Sequence, residues 1–287
     1  MGRFASALAF LFTLAVVLAS AGCGERFDDL GAPQKPSQSA FASDALTALK
    51  DAGSAHVVVD AKGGTFSGTT AEIGIRFEGD ASTSALVGDV EVTFPGGTIG
   101  ARVLAGEHDA YVRFMGSWYQ AESGIKDALK SAGAENGELL LELSTPAGLG
   151  KLFTQLFEGE IAEGPDIDGA ATWEFSGRLR ASAFADLVEE YGHVQLTEHD
   201  RALFEKVAAT SRLVLDVGQD DHLPRKVELT LEPPKDLHFD SQELDSSDGA
   251  FTVTVELSGF GEDVSFSAPK NARPLDELFG QLFGVMG

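Results

Sequence analysis

The sequence predicts an α+β fold in which an antiparallel sheet packs against several helices. Apolar residues alternate with polar ones through most of 56–121 and again through 213–257, the pattern of strands with one buried and one solvated face. Elsewhere, as in 149–157, apolar residues recur at three- and four-residue spacing, the period of an amphipathic helix. A chain of 287 residues suits one large domain or two small ones.

The N-terminus reads as a targeting segment. Arg3 precedes an uncharged apolar run, Phe4–Leu18, and small residues then lead to Cys23, the only cysteine of the chain. Such a run is typical of a signal peptide and is shorter than the ~20 residues of a membrane span. The alternatives are an ordinary secretory signal with a stray cysteine and an uncleaved anchor.

The tripeptide Ala21-Gly22-Cys23 resembles a bacterial lipobox, with Ser20 at the position where Leu is commoner. This resemblance implies cleavage before Cys23 and a diacylglycerol thioether on it, with palmitate-type acylation. The chain would then divide into a signal peptide at 1–22, a flexible tether at 23–39 and a single domain at 40–287. The protein would be extracytoplasmic, on the periplasmic side, and lipid-anchored to the outer leaflet of the cell membrane.

The charge balance excludes some classes of partner. The chain has 45 acidic and 21 basic residues and a formal net charge of −24, which argues against binding to nucleic acid or to anionic phosphates. The protein would therefore attach to a membrane through its acyl anchor rather than through a basic patch.

The strands fall into two groups. In the first group, Pro95-Gly96-Gly97 predicts a hairpin turn, and the alternation runs on to residue 121. The second group includes a strand at Thr172–Arg180 and later strands whose apolar positions are Leu213, Leu215 and Val217; Val227, Leu229 and Leu231; Phe251, Val253, Val255 and Leu257; Val264 and Phe266.

Helices are predicted between and beside these strands. The first spans about Ala40–Ala52 and stops at Gly53. A second begins after Thr145, continues its apolar stripe to Phe157 and is closed by Gly159. Further helices carry these stripes: Phe184, Leu187, Val188 and Tyr191; Leu203, Phe204, Val207 and Ala208, within 197–210; and Leu275, Leu278, Phe279, Leu282 and Phe283, within 274–286.

The order of anchor, tether, helix, meander, helices and closing strands resembles the actinobacterial LppX/LprG-type lipoproteins. The turns His222-Leu223-Pro224-Arg225 and Phe260-Gly261-Glu262-Asp263 carry part of the likeness. That family has a LolA/LolB-like half-barrel, a curved antiparallel sheet wrapping helices around an apolar cavity for acyl chains. The helices at 197–210 and 274–286 look like additions to this pattern.

Stretches that resemble phosphate-, calcium- or zinc-binding motifs are incomplete. The Gly148–Lys151 stretch lacks the first glycine of a phosphate loop, and Asp166–Gly169 lacks the spaced ligands and closing Glu of a calcium loop. His193 and His199 match no zinc spacing. We therefore expect no metal, no cofactor and no enzyme activity.

The leading hypothesis is an envelope lipoprotein that shields acyl chains of a lipid or lipidated glycoconjugate in an apolar cavity, for transport or presentation. The alternative is a sensor or assembly factor of the same fold that binds an envelope protein. The lipid anchor is Cys23. The candidate cavity residues, which periodicity alone equally assigns to the core, are Ile73, Ile75, Phe77, Leu152, Phe153, Leu156, Phe157, Trp173, Phe175, Phe184, Leu187 and Phe204.

Overall fold

The computed structural model describes residues 34–65, 72–121, 145–192, 195–232 and 250–278. Within these ranges the helices are α1 Gln38–Ala52, α2 Pro146–Leu156, α3 Ala181–Gly192 and α4 Glu198–Thr210. The strands are β1 Ser54–Thr65, β2 Glu72–Ser82, β3 Leu86–Phe94, β4 Gly97–Ala105, β5 Ala110–Phe114, β6 Ser117–Ala121, β7 Phe157–Glu163, β8 Thr172–Leu179, β9 Arg212–Gly218, β10 Pro224–Leu231, β11 Phe251–Ser258 and β12 Arg273–Pro274.

All twelve strands belong to one open, curved sheet in the order β12-β6-β5-β4-β3-β2-β1-β11-β10-β9-β8-β7. Neighbours are antiparallel except β12 and β6, which are parallel. Strand β1 joins the two groups of strands, because it pairs with β2 on one side and with β11 on the other. The predicted α+β class, a curved antiparallel half-barrel sheet with helices, is confirmed.

Local sequence fixes the ends of the first two helices. Ser37 caps α1 by accepting a hydrogen bond from the Ala40 amide, and Gly53 ends it with a φ of 75°. The Thr145 hydroxyl accepts from the Gly148 amide at the start of α2, 3.1 Å away. These two helices pack closely, since a Cβ on Gly150 would lie 2.7 Å from the Ser39 carbonyl oxygen.

The predicted end of the second helix is wrong. Helix α2 stops at Leu156, where Phe157 takes the extended conformation (φ −118°, ψ 143°) and begins edge strand β7. Gly159 lies inside that strand, opposite Gly177 of β8, instead of closing a helix. Phe157 continues the helical spacing because the first residue of the strand points into the same core.

The segment after β11 also differs from the prediction. Val264 and Phe266 lie outside any strand. The chain here crosses the ends of the strands: the Gly261 amide donates to the Ser54 carbonyl, 3.1 Å away, and the Phe266 ring lies 6.2 Å from that of Tyr111. It then forms β12 beside β6 and turns helical at Leu275, as the stripe predicted.

Candidate apolar binding face

The strand register gives the sheet one apolar face and one charged face. Directly paired residues of antiparallel strands lie on the same side of the sheet. One apolar row therefore crosses ten strands, from β7 to β5: Ile161, Phe175, Leu215, Val227, Val255, Val59, Phe77, Val90, Ala101 and Phe114. The helices pack on this face, since Phe41 of α1 and Phe153 of α2 both contact Phe175.

Helices α1–α4 of the described ranges pack on only part of this face. Helix α1 packs on β1 and β10, α2 on β7, and α4 on β8 and β10. We call the strands from β7 through β11 to β1 the covered half and strands β2–β6 the open half. Leu49 near the end of α1 lies in a cluster that includes Ala81 of the open half, with Phe77 partly buried against it.

The covered half contains a dense aromatic core. The Phe175 side chain is fully buried, and its ring centroid lies 4.8 Å from that of Phe153 and 6.4 Å from that of Phe41. Eight of the candidate cavity residues are buried in this one cluster: Leu152, Phe153, Leu156, Phe157, Trp173, Phe175, Phe184 and Leu187. They contact one another and the sheet, and their role as ligand contacts stays a prediction.

The open half presents apolar side chains to solvent. Ile75 is 38% exposed, Phe94 37% and Ile99 44%. Residues of the same face that are only half-buried surround them: Ile73, Phe77, Val90, Val92, Ala101, Val103, Val112 and Phe114. Single exposed apolar residues are ordinary, but a contiguous apolar patch on a sheet face marks a binding surface.

Phe77 has the same local setting as Phe175. A Cβ on Gly88 would come within 2.5 Å of the Phe77 ring, and one on Gly177 within 2.5 Å of the Phe175 ring. In both places the ring covers a pair of glycines that face each other across two strands. Aromatic cover of paired glycines is a known way to stabilise a sheet.

The opposite face of the sheet is charged. On the open half, the Arg76 guanidinium donates to Glu78 at 2.8 Å and to Asp60 at 3.4 Å, and its hydrogen bond lowers the pKa of the Glu78 carboxyl. On the covered half, burial and the neighbouring Glu174 raise the pKa of Asp216 to about 6. The Oδ1 atom of Asp216 has no hydrogen-bond partner.

Sequence reasoning named some residues of the open half and missed others. Ile73, Ile75 and Phe77 lie on it, whereas Val92, Phe94 and Ile99 were not among the candidates. The hairpin turn at Pro95-Gly96 could have identified them, since it places Val92 opposite Ile99. Val92 in turn pairs with Ile75 of β2. Cys23 and the side chain of Phe204 lie outside what the structure describes.

Within the described ranges, no three His, Cys, Asp or Glu side chains come together as metal ligands. No helix in those ranges is long and apolar enough to cross a membrane.

No family model and no curated protein matches this sequence. Among solved structures, the lipoprotein LppX of Mycobacterium tuberculosis matches 80% of this chain and 98% of its own, at 13% identity and a TM-score of 0.43. LprF of Mycobacterium bovis matches 83% of this chain and 99% of its own, at 16% identity and a TM-score of 0.42. A DUF1329 family protein of Desulfovibrio piger matches 75% of this chain and 86% of its own, at 11% identity and a TM-score of 0.18. LppX and LprF are of the LppX/LprG type that the order of elements in this sequence resembles.

Proposed function

We propose that this protein is an envelope lipoprotein, anchored through Cys23, that binds acyl chains of a lipid or lipidated molecule on the open half of its sheet. The observation that carries the proposal is the apolar row that continues from the covered core onto strands β2–β5. There its neighbours Ile75, Phe94 and Ile99 remain more than one-third exposed. Anchor and binding face together suit transport or presentation of the bound molecule.

Burial of apolar surface would drive such binding. An acyl chain that removes about 200 Å² of apolar surface from water gains about 5 kcal/mol at ~25 cal/mol per Å². The charged groups of the open half, including Arg76, Glu78 and Asp89, lie on the opposite face of the sheet. A polar headgroup, such as that of a glycoconjugate, would stay in solvent at the edge of the apolar face.

The test compares adjacent residues that face opposite sides of the same strands. A fluorescent fatty acid is titrated into the parent domain (residues 34–287), into the double variant Val92→Ser/Ile99→Ser and into the control Glu91→Ser/Thr98→Ser. We expect the apolar-face variant to bind roughly tenfold more weakly, about 1.4 kcal/mol, and the control to bind like the parent. Absence of probe binding by the parent would overturn the proposal and favour the protein-partner alternative.

The anchor is tested separately in cells. Cys23→Ser should prevent acylation and release the protein into the soluble envelope fraction, because one residue carries the whole thioether attachment. The control is Ser20→Ala, which leaves the acylated residue in place and should remain in the membrane fraction. A Cys23→Ser protein that stays membrane-bound would contradict the lipoprotein assignment.

A further inference from the structure

We propose that the tips of two hairpins of the open half dock on the surface of a lipid bilayer, with Phe94, Ile99 and Met115 entering its apolar layer. The tips are residues 94–99, between β3 and β4, and residues 114–117, between β5 and β6. They lie side by side at one end of the sheet, because β4 pairs with β5. We call this end the hairpin end. Docking there does not require an acyl chain on the apolar face, and only its link to the anchor rests on the proposed function.

Exposed apolar side chains concentrate at the hairpin end. The four most exposed large apolar side chains of the described residues all lie there: Met115 (89%), Ile99 (44%), Ile75 (38%) and Phe94 (37%). Met115 stands in the turn between β5 and β6 and contributes little to folding, because almost none of its side chain is removed from water. A bilayer that buried this side chain would gain its full transfer free energy. Exposed apolar side chains gathered in one place mark a binding surface.

The charge pattern of the same hairpins suits a bilayer surface. Residues 92–106 and 110–121 contain no Asp or Glu, in a chain with 45 of them, and their only charged residues are Arg102 and Arg113. These two arginines pair across β4 and β5, and Arg113 also pairs with Trp118 of β6.

This arrangement follows the order of groups in a bilayer. Arg113 lies two residues before Met115, about 7 Å back along the strand, so its guanidinium can reach a lipid phosphate while Met115 lies in the apolar layer. Arg binds phosphate well, and Trp is enriched where headgroups meet acyl chains. A lipid surface therefore fits the hairpin end better than a basic protein would, because the two hairpins offer no carboxylates to such a partner.

The chain also enters the domain at the hairpin end. Antiparallel neighbours reverse direction, so the start of β7, seven strands away from β3, lies at the same end of the sheet as the end of β3. The Gln38 side-chain amide at the start of α1 donates to the Phe157 carbonyl at the start of β7, 2.9 Å away. The proposed anchor, Cys23, precedes Ser37 by 14 positions, which span at most about 50 Å. An anchor attached at this end would hold the hairpin tips toward the membrane.

Tryptophan fluorescence tests docking without the anchor. The chain has two tryptophans, so residues 23–287 carrying Cys23→Ser and Trp173→Phe report on Trp118 alone. This protein is titrated with vesicles of phosphatidylcholine brominated on its acyl chains, since bromine quenches a nearby indole. We expect a saturable loss of Trp118 emission. Trp118 lies on the charged face of the sheet, paired with Arg113, so an acyl chain on the apolar face would not account for the loss. With Trp118→Phe instead, the buried Trp173 should keep its emission.

A matched pair of substitutions then tests the role of the tip. Met115→Asp should raise the lipid concentration that gives half of the loss roughly tenfold or more, since burial of one Met contributes about that much. Asp tolerates the positive φ of this position, 47°. The control Thr83→Asp adds the same charge in the exposed turn between β2 and β3, at the opposite end of the sheet, and should leave that concentration unchanged.

Failure of docking is distinguishable from failure of acyl binding. Met115 lies outside the apolar row, so Met115→Asp should bind the fluorescent fatty acid like the parent. Unquenched Trp118 in the parent, or equal lipid affinities of Met115→Asp and Thr83→Asp, would overturn the docking whatever the fatty-acid titration shows. If Trp173→Phe prevents folding, cosedimentation of the Cys23→Ser chain with the same vesicles replaces the fluorescence, and the same difference between the two variants is required.

Discussion

The covered and open halves of the sheet share one local design and differ in what lies above it. In each half a phenylalanine covers a glycine pair that joins two strands, Phe175 in the covered half and Phe77 in the open half. Phe175 is enclosed by Phe41 and Phe153 and is fully buried, whereas Phe77 remains half-buried.

The difference separates stability from binding. Where helices fill the space above the apolar row, each side chain contributes its full burial to folding. Where they do not, the same row leaves apolar surface that a ligand or another segment can bury. Variants that disturb one half more than the other therefore test this division.

Cutting the chain after residue 144, which leaves α1 and β1 with the open half and separates them from the rest of the covered half, should abolish folding. Fragment 34–144 contains β1 and fragment 145–287 contains β11. These two strands pair through seven residue pairs in the intact sheet, so each fragment loses a neighbouring strand. We expect neither fragment to unfold cooperatively in a urea titration followed by circular dichroism, whereas the intact domain should show one transition. Independent cooperative transitions in both fragments would mean that the two fragments are separate domains.

Alanine substitutions at Phe175 and Phe77 should lower the unfolding free energy by different amounts. Phe175→Ala should cost about 3–5 kcal/mol of unfolding free energy, as in a filled core. Phe77→Ala should cost about 1–2 kcal/mol, because the ring is less enclosed, and it should weaken fatty-acid binding. Urea unfolding and probe titration of both variants measure this contrast, and equal stability losses would remove it.

Asp216 should make stability depend on pH through the covered half. Its pKa of about 6 in the folded protein, against 3.8 in the unfolded chain, means that the folded state binds the proton more tightly. This contribution to stability is therefore complete below pH ~4 and is lost as pH rises through ~6, by up to roughly 3 kcal/mol. We expect the unfolding free energy of Asp216→Asn to lack this fall.

Two neighbours of Asp216 provide opposite controls. Glu174 raises the pKa of Asp216, whereas Lys226 lowers it. In urea unfolding from pH 4 to 8, Glu174→Gln should shift the fall in stability to lower pH, and Lys226→Met should shift it to higher pH. Identical pH profiles for the parent and Asp216→Asn would show that this carboxyl does not cause the fall.

Alanine substitutions in the glycine pairs should lower stability by the smallest amounts, and by more in the covered half than in the open half. In Gly177→Ala the added methyl meets the Phe175 ring, which Phe41 and Phe153 hold in place, so we expect a cost of about 2–3 kcal/mol. In Gly88→Ala the Phe77 ring can turn toward open space, and only the Glu78 carbonyl oxygen, 2.8 Å from the added methyl, must shift, so the expected cost is smaller, about 1–2 kcal/mol. Thermal unfolding of the two variants tests this, and a larger loss for Gly88→Ala would contradict it.

The sequence by itself determined the class of fold and most of its elements. Alternation of apolar residues predicted strands such as Ile73–Phe77, and three- and four-residue spacing predicted α1, α4 and the helical start at Leu275. These signals are local, because a side chain's direction in a helix or strand follows from its position in the repeat. The same reasoning failed at Phe157. Its side chain points into the same core whether the residue continues the helix or begins a strand, so the spacing does not distinguish the two.

Only the tertiary structure decided which apolar residues are enclosed. Ile75 and Phe175 both stand at alternating positions of predicted strands, yet one is 38% exposed and the other fully buried. The difference arises from where α1 and α2 lie on the sheet, which depends on contacts between residues over a hundred positions apart, such as Phe41 with Phe175. Periodicity tells which face of a strand is apolar, but what covers that face is a property of the assembled chain.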